Sequence, residues 1–176
     1  VDLLSVKLAR HIAPAGPEQV SERGLGDVMT TNLQAYRHYS LAVEKADAFH
    51  NKDALELLER SLALDPEFAM SHARIGYVYA LDWGFAEQAR PHLERAYQLS
   101  HRLTEKDRLY IGAWYRIANY DFAGAVGDFR QIIGQFPMEV EAYFRLGKVL
   151  TGEERTDEAI EAFKQGLVAD PEAKAI

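Results

Sequence analysis

Six histidines and one dense run of carboxylates are the residues of this chain best suited to chemistry. The histidines are His11, His38, His50, His72, His92 and His101. A metal held on helices wants His and carboxylate side chains three or four residues apart on one face, and no His-Glu-x-x-His pattern occurs. His38 and His72 recur 34 residues apart, which suits a large-residue packing slot better than a ligand set. Glu153, Glu154, Asp157 and Glu158 fall where a turn meets the first turn of a helix. Negative charge there meets the positive end of the helix dipole, so no general acid–base pair is needed to explain them. The chain has no cysteine, which removes disulfides, thiolate zinc sites and a cysteine nucleophile. No serine lies in a Gly-x-Ser-x-Gly turn, and there is no Gly-rich phosphate loop or kinase catalytic loop. The expectation is a protein that is not an enzyme and uses no cofactor and no metal.

With catalysis unsupported, the bulk properties narrow the alternatives. The chain has 176 residues, enough for one domain with a real core, and 48% are hydrophobic. Its net charge of -7 disfavours nucleic acid, because neutralising phosphates needs clustered Lys and Arg. The longest apolar stretch, Ile75 to Leu81, is far too short to span a bilayer, and no signal peptide is visible. A soluble protein is expected, with the cytoplasm favoured. The start at Val1 suggests a piece of something larger, or a processed chain.

The elements that position these residues repeat. Ala54, Ala89, Ala125 and Ala159 are spaced by 35, 36 and 34 residues. Four residues after each comes a large apolar side chain: Leu58, Leu93, Phe129 and Phe163. Twelve residues after three of them comes Pro66, Pro137 or Pro171; the remaining unit has His101 there. Upstream lie Leu41-Ala42, Ile75-Gly76, Ile111-Gly112 and Leu146-Gly147. Each unit reads as a helix A, a turn, a helix B and a link. The small residues let two helices approach closely, and a mid-helix Gly, costing about 1 kcal/mol against Ala, needs such a compensation. Asn51, Asp121 and Thr156 are suited to cap the B helices and Thr104 with Asp107 to start the third A helix. Asp65-Pro66 and Asp170-Pro171 should end B helices, because the residue before Pro avoids the helical region. Units two and three each need one extra residue in the turn between their helices.

This pattern resembles the tetratricopeptide repeat family over roughly residues 32 to 172. Tyr143, Leu146, Gly147, Ala159, Phe163, Gly166 and Pro171 fall on its motif in register. The resemblance implies an all-α fold, a right-handed α-solenoid of antiparallel helix hairpins. Residues 1–29 would be an amphipathic helix, over 2–12, and a linker. Residues 30–172 would be four repeats, about 32–67, 68–103, 104–138 and 139–172, and 173–176 the start of a further helix. Trp114 reads as core, and Trp83 as a brace for the inserted turn or a partly exposed edge residue.

In this family the A helices line a concave surface that takes peptides. Carrying its inward positions over gives Tyr36, Tyr39 and Val43 in unit one, and Met70, Ala73, Arg74, Tyr77 and Ala80 in unit two. Unit three gives Lys106, Leu109, Tyr110, Ala113 and Arg116; unit four gives Glu141, Phe144, Arg145 and Lys148. Aromatics mixed with Arg are what interface centres favour. Arg74 and Arg145 share a repeat position, so the expected partner is a protein or peptide, and a locally basic groove suits an acidic or carboxylate-bearing one. Solvated charge and packed aromatics are the plain alternative for the same residues. The carboxylate clamp of chaperone-binding members looks absent, since Tyr39, Ala73, Leu109 and Phe144 stand at most of its positions. Two stretches, Thr30 to Ser40 and Leu103 to Ile111, are similar to the repeat regions of large bacterial signalling proteins linked to kinase, winged-helix or cyclase domains. A second reading is self-association through an uncapped terminal hairpin face, giving a homo-oligomer.

Overall fold

The computed structural model describes residues 29–48, 50–82 and 84–171, apart from the side chains of Asp47, Leu81 and Asp82. The expected helix over residues 2–12, nearly all of the linker, Trp83 and residues 173–176 lie outside the described residues. The described residues form eight α-helices and no strand: α1 (Leu33–Asp47), α2 (Asn51–Leu64), α3 (Ala69–Tyr77), α4 (Ala86–Leu99), α5 (Glu105–Ala118), α6 (Phe122–Gln135), α7 (Val140–Gly152) and α8 (Thr156–Ala169). They pair as four hairpins, and the second helix of each hairpin also packs against the first helix of the next. The molecule is an α-solenoid of helical hairpins.

The helix ends follow from local chemistry. Asn32 opens α1, its Oδ1 accepting from the backbone N–H groups of Gln34 and Ala35 at 3.1 Å each. Its Nδ2 donates to Leu64 O at 3.1 Å, tying the start of α1 to the end of α2. Asp65 and Asp170, each before a proline, leave the helix with the same φ of -143°. α4 has no such proline and runs into a 3₁₀ turn, Ser100–Arg102. Thr104 then starts α5: its Oγ1 accepts from Asp107 N at 3.2 Å and donates to Asp107 Oδ2 at 2.7 Å. Asp121 caps α6 as expected, accepting from Gly124 N at 2.9 Å. Asn51 and Thr156 do not cap. Each is the first residue of its helix, and the cap positions fall to His50 and Arg155, which make no side-chain cap bond. α8 starts instead on a first turn bearing Asp157 and Glu158, with Arg155 donating twice to Glu158 at 2.8 Å.

The core is the predicted one. Ala54, Ala89, Ala125 and Ala159 are buried, as are Leu58, Leu93 and Phe129, while Phe163 is half-buried. A Cβ added at Gly76 would run into the Leu93 side chain, and one at Gly147 into the Phe163 ring. Both glycines therefore mark close helix approach. A polar thread also runs through the first core layer: Ser61 Oγ donates to Ala35 O at 2.9 Å and meets Ser71 Oγ at 2.8 Å.

The extra residues of hairpins two and three sit elsewhere than expected. In hairpin two a π-helical turn, Val78–Asp82, absorbs the residue as a continuation of α3. In hairpin three the turn is Asn119 to Asp121, as short as Glu153 to Arg155 in hairpin four. Both turns place their middle residue in the left-handed region, Tyr120 at φ 61° and Glu154 at φ 60°. The extra residue therefore lies inside α5, which has 14 residues against 13 in α7. Counted back from that shared turn, Ala113 takes the place of Gly147, and Gly112 the place of Leu146. Correspondingly, a Cβ on Gly112 would meet only the Asp128 carboxylate, at 3.3 Å.

Candidate functional site: the face of the first helices

Arg74 on α3 and Arg145 on α7 come together over one ring. The Arg145 guanidinium lies 4.6 Å from the centre of the Tyr77 ring and that of Arg74 lies 5.4 Å from it. Hairpins two and four thus meet across α5 on the side of the first helices. Tyr77 is buried, its ring edge-on to Trp114 at 5.0 Å. Arg145 also sits 5.1 Å from the half-buried Phe144 ring and donates from Nε to Glu141 Oε1 at 2.6 Å. Trp114 is core, as expected, at 8% exposure. Its buried Nε1 has no hydrogen-bond partner among the described residues.

A second cluster adjoins the first. Tyr110 packs against Trp114 at 5.6 Å and donates from its hydroxyl to Glu139 Oε1 at 3.1 Å. Lys106 donates to Glu139 Oε2 at 2.8 Å, a pair whose side chains are 12% and 23% exposed. Burial, then the neighbouring Glu139 charge, pushes the Tyr110 phenol well above its ordinary range, so it stays a donor. Burial also pushes the Asp107 carboxyl up, against the pull of its bond from Thr104.

The other expected residues spread out. Tyr39 packs on Phe68 at 5.1 Å with Tyr36 6.4 Å from Tyr39, a separate aromatic group on hairpin one. Met70 is half-buried against the core, and Lys148 is exposed. Arg116 and Leu109 lie apart from the Tyr77 cluster. They line a cleft of about 780 Å³ between the ends of α4 and α6, floored by Gly112. The one-residue shift in α5 turns them there and brings Trp114 to the Tyr77 cluster. Arg116 donates to Asp128 Oδ2 and Asp121 Oδ2, both at 2.8 Å. These bonds hold its guanidinium charged, while burial pushes Asp128 up and the Gly124 N–H bond, then Arg116, holds Asp121 down. On the cleft wall Tyr97 and Tyr115 stack at 5.3 Å.

The histidine slot holds a pair that sequence spacing does not reveal. His72 Nδ1 lies 3.2 Å from His92 Nδ1, with ring centres 5.4 Å apart, so the nitrogens meet head-on. With the nitrogens aimed at each other, a metal ion about 2.0–2.1 Å from both would sit well off each ring's lone-pair axis, whereas an N–H···N bond lies along it. His72 Nε2 donates to Pro66 O at 3.1 Å, which makes His72 Nδ1 the acceptor from His92 in the neutral pair. Burial pushes both imidazoles below their ordinary value. Among the described residues no group of three or more His, Asp or Glu could hold a metal ion. No described helix is long and apolar enough to cross a membrane.

The hairpin array and its first-helix face define the class of fold, and comparison with known proteins agrees. Residues 112–174 match the family model for the tetratricopeptide repeat. A MamA RS-1 double mutant superposes with a TM-score of 0.51 at 18% identity, covering 81% of this chain and 78% of that one. YrrB, a TPR protein with an unusual peptide-binding site, gives 0.49 at 22% identity, covering 80% and 72%. Another MamA structure gives 0.49 at 22% identity, covering 78% of each chain. No curated protein matches the chain. Likeness at these identities shows the fold alone.

Proposed function

We propose that this chain is a protein-binding scaffold, that its partner lies along the face of the first helices, and that an acidic or carboxylate-bearing segment is what the face takes. The observation that carries the reading is the convergence of Arg74 and Arg145 on the Tyr77 ring. Two guanidiniums held on aromatic rings are weakly hydrated, preorganised carboxylate binders. Trp114, whose ring lies against Tyr77, brings a buried N–H that has no acceptor among the described residues. Tyr36, Tyr39, Met70, Tyr110, Phe144 and the exposed Lys148 extend the face on either side. Arg116, engaged in the cleft, is left out. In this reading the binding unit is residues 30–172, divided near 67, 103 and 138, and it works inside a larger bacterial regulatory protein. The resemblance of residues 30–40 and 103–111 to such proteins supports that setting.

A pull-down from source-cell lysate tests it, comparing the chain with Arg74→Glu/Arg145→Glu. Retention of a partner should fall at least tenfold, about 1.4 kcal/mol, in a double variant with an unchanged melting curve. A partner held equally by both moves the site off this face.

A further inference from the structure

Local chemistry secures hairpin two less well than its neighbours. α3 has nine residues, where the other described α-helices have 13 to 15. The cap residues of α3 and α4, Phe68 and Phe85, make no side-chain cap bond. Pro91 stands inside α4 and removes one rung of its hydrogen-bond ladder. Across this hairpin runs a chain of two bonds. His92 Nδ1 on α4 donates to His72 Nδ1 on α3 at 3.2 Å, and His72 Nε2 donates to Pro66 O at 3.1 Å, in the link from α2. Two half-buried imidazoles thus tie the link, α3 and α4 together. The charged groups that act on them are Asp65, in the link, and Arg95, on α4, which is itself paired with Glu67 at 3.5 Å. Among the described residues no charged group of α1, α2, α5 or the two short turns acts on either ring.

We infer that His72 and His92 form an acid-released latch between α3 and α4, closed while the pair holds at most one proton and open once it holds two. The neutral pair is held by its N–H···N bond. One added proton leaves a charge-assisted bond, whichever ring carries it. A second puts N–H on both facing nitrogens, so no lone pair remains between them and two like charges stand 3.2 Å apart. Burial pushes both imidazoles below their ordinary 6.5, outweighing the Pro66 bond on His72, and on His92 the His72 charge adds to it. In the opened hairpin both rings return to about 6.5. The latch is therefore fully present above that value and is lost as pH falls through the lower values of the closed state. α3 also carries Arg74 and Tyr77, so acid slackens the helix that presents them. That consequence rests on the partner reading above; the latch itself does not.

The test is amide hydrogen exchange of the full 176-residue chain at pH 7.5 and 5.5, corrected for the intrinsic rate, with α7 and α8 as the internal reference. Each proton that the open hairpin binds and the closed one refuses should raise the opening of α3 and α4 about tenfold between these values. His72→Phe/His92→Phe should abolish the rise. His92→Gln serves if that variant loses helix content: its amide can donate to a neutral His72 or accept from a protonated one, so the rise should shrink to less than about twofold. Side-chain nitrogen spectra at pH 7.5 should show His72 protonated on Nε2 and His92 on Nδ1. A parent whose α3 and α4 follow α7 and α8 at both pH values overturns the inference. So does a rise that survives in the variants, or a His92 protonated on Nε2 alone. The readout needs no partner, so failure of the latch leaves the Tyr77-face reading standing, and loss of that reading leaves the latch.

Discussion

In hairpin four, Gly147 lies so close to Phe163 that a single added carbon has no room. In hairpin three, built on the same turn and the same Ala-x-x-x-Phe pattern, Gly112 faces only a carboxylate across a cleft of about 780 Å³. The groove beside α8, between α6 and α8 over Leu146 and Leu150, is about 240 Å³. One residue placed inside α5 separates the two hairpins. It moves the small side chain from the close contact to the floor of a groove, and it replaces an apolar contact with the Arg116, Asp121 and Asp128 pairs. A repeat can keep every motif residue and still change which surface those residues serve.

The sharpest test of this contrast is in the aromatic pair. Phe129→Ala should cost about 3–5 kcal/mol, because the ring is fully closed off, and Phe163→Ala about half of that. Equal losses in urea unfolding would mean the terminal hairpin is packed like the interior one. Next come the glycines. Gly147→Leu should lower stability by roughly 1–3 kcal/mol through overpacking, and Ala89→Phe similarly, while Gly112→Leu should stay within about 0.5 kcal/mol. A Gly112→Leu loss as large as that of Gly147→Leu would return Gly112 to the close contact and sink the shifted register. A smaller difference lies at the helix starts. Thr104→Ala should cost about 1 kcal/mol in thermal melts, and Thr156→Ala almost nothing, since only Thr104 caps.

The smallest effect is in pH dependence, and its sign differs between the hairpins. Burial raises Asp107 above its ordinary 3.8, so its contribution is fully present below that value and is lost as pH rises through its folded pKa. Asp107→Asn should therefore melt progressively higher than the parent as pH rises from 3 to 7. At the start of α8 the hydrogen bonds from Arg155, with Arg130 adding to them, lower Glu158 below its ordinary 4.5. Its contribution is present above that value and lost as pH falls through its folded pKa. Glu158→Gln should melt slightly lower near neutrality and match the parent in acid. Parallel curves for both variants would remove the electrostatic contrast.

The sequence made the hairpins legible because their signals are local and repeated. Asp65-Pro66 and Asp170-Pro171 end helices by sterics alone, and four copies of Ala with a large residue four later mark the B helices. The register of α5 was not legible. An inserted residue can widen a turn, make a π-turn or lengthen a helix at the same count, and the choice depends on which neighbours the helix then meets. That ambiguity is why Arg116, expected beside the Tyr77 cluster, lies in the cleft with Asp121 and Asp128. His92 was missed for a related reason: it has no periodic counterpart, and only the packing of α3 on α4 brings it to His72. The meeting of Arg74 with Arg145 was half legible. Their shared repeat position was visible, but not that hairpins two and four close over one ring.

Trp114 has a practical consequence as an optical probe. The chain has two tryptophans, so Trp83→Phe leaves Trp114 as the sole indole emitter. Its burial should give blue-shifted emission, and its contact with Tyr77 puts it one ring away from both guanidiniums. A ligand that displaces Arg145 from Tyr77, or reaches the indole, would then report its own arrival as a change in colour or yield, with no label attached.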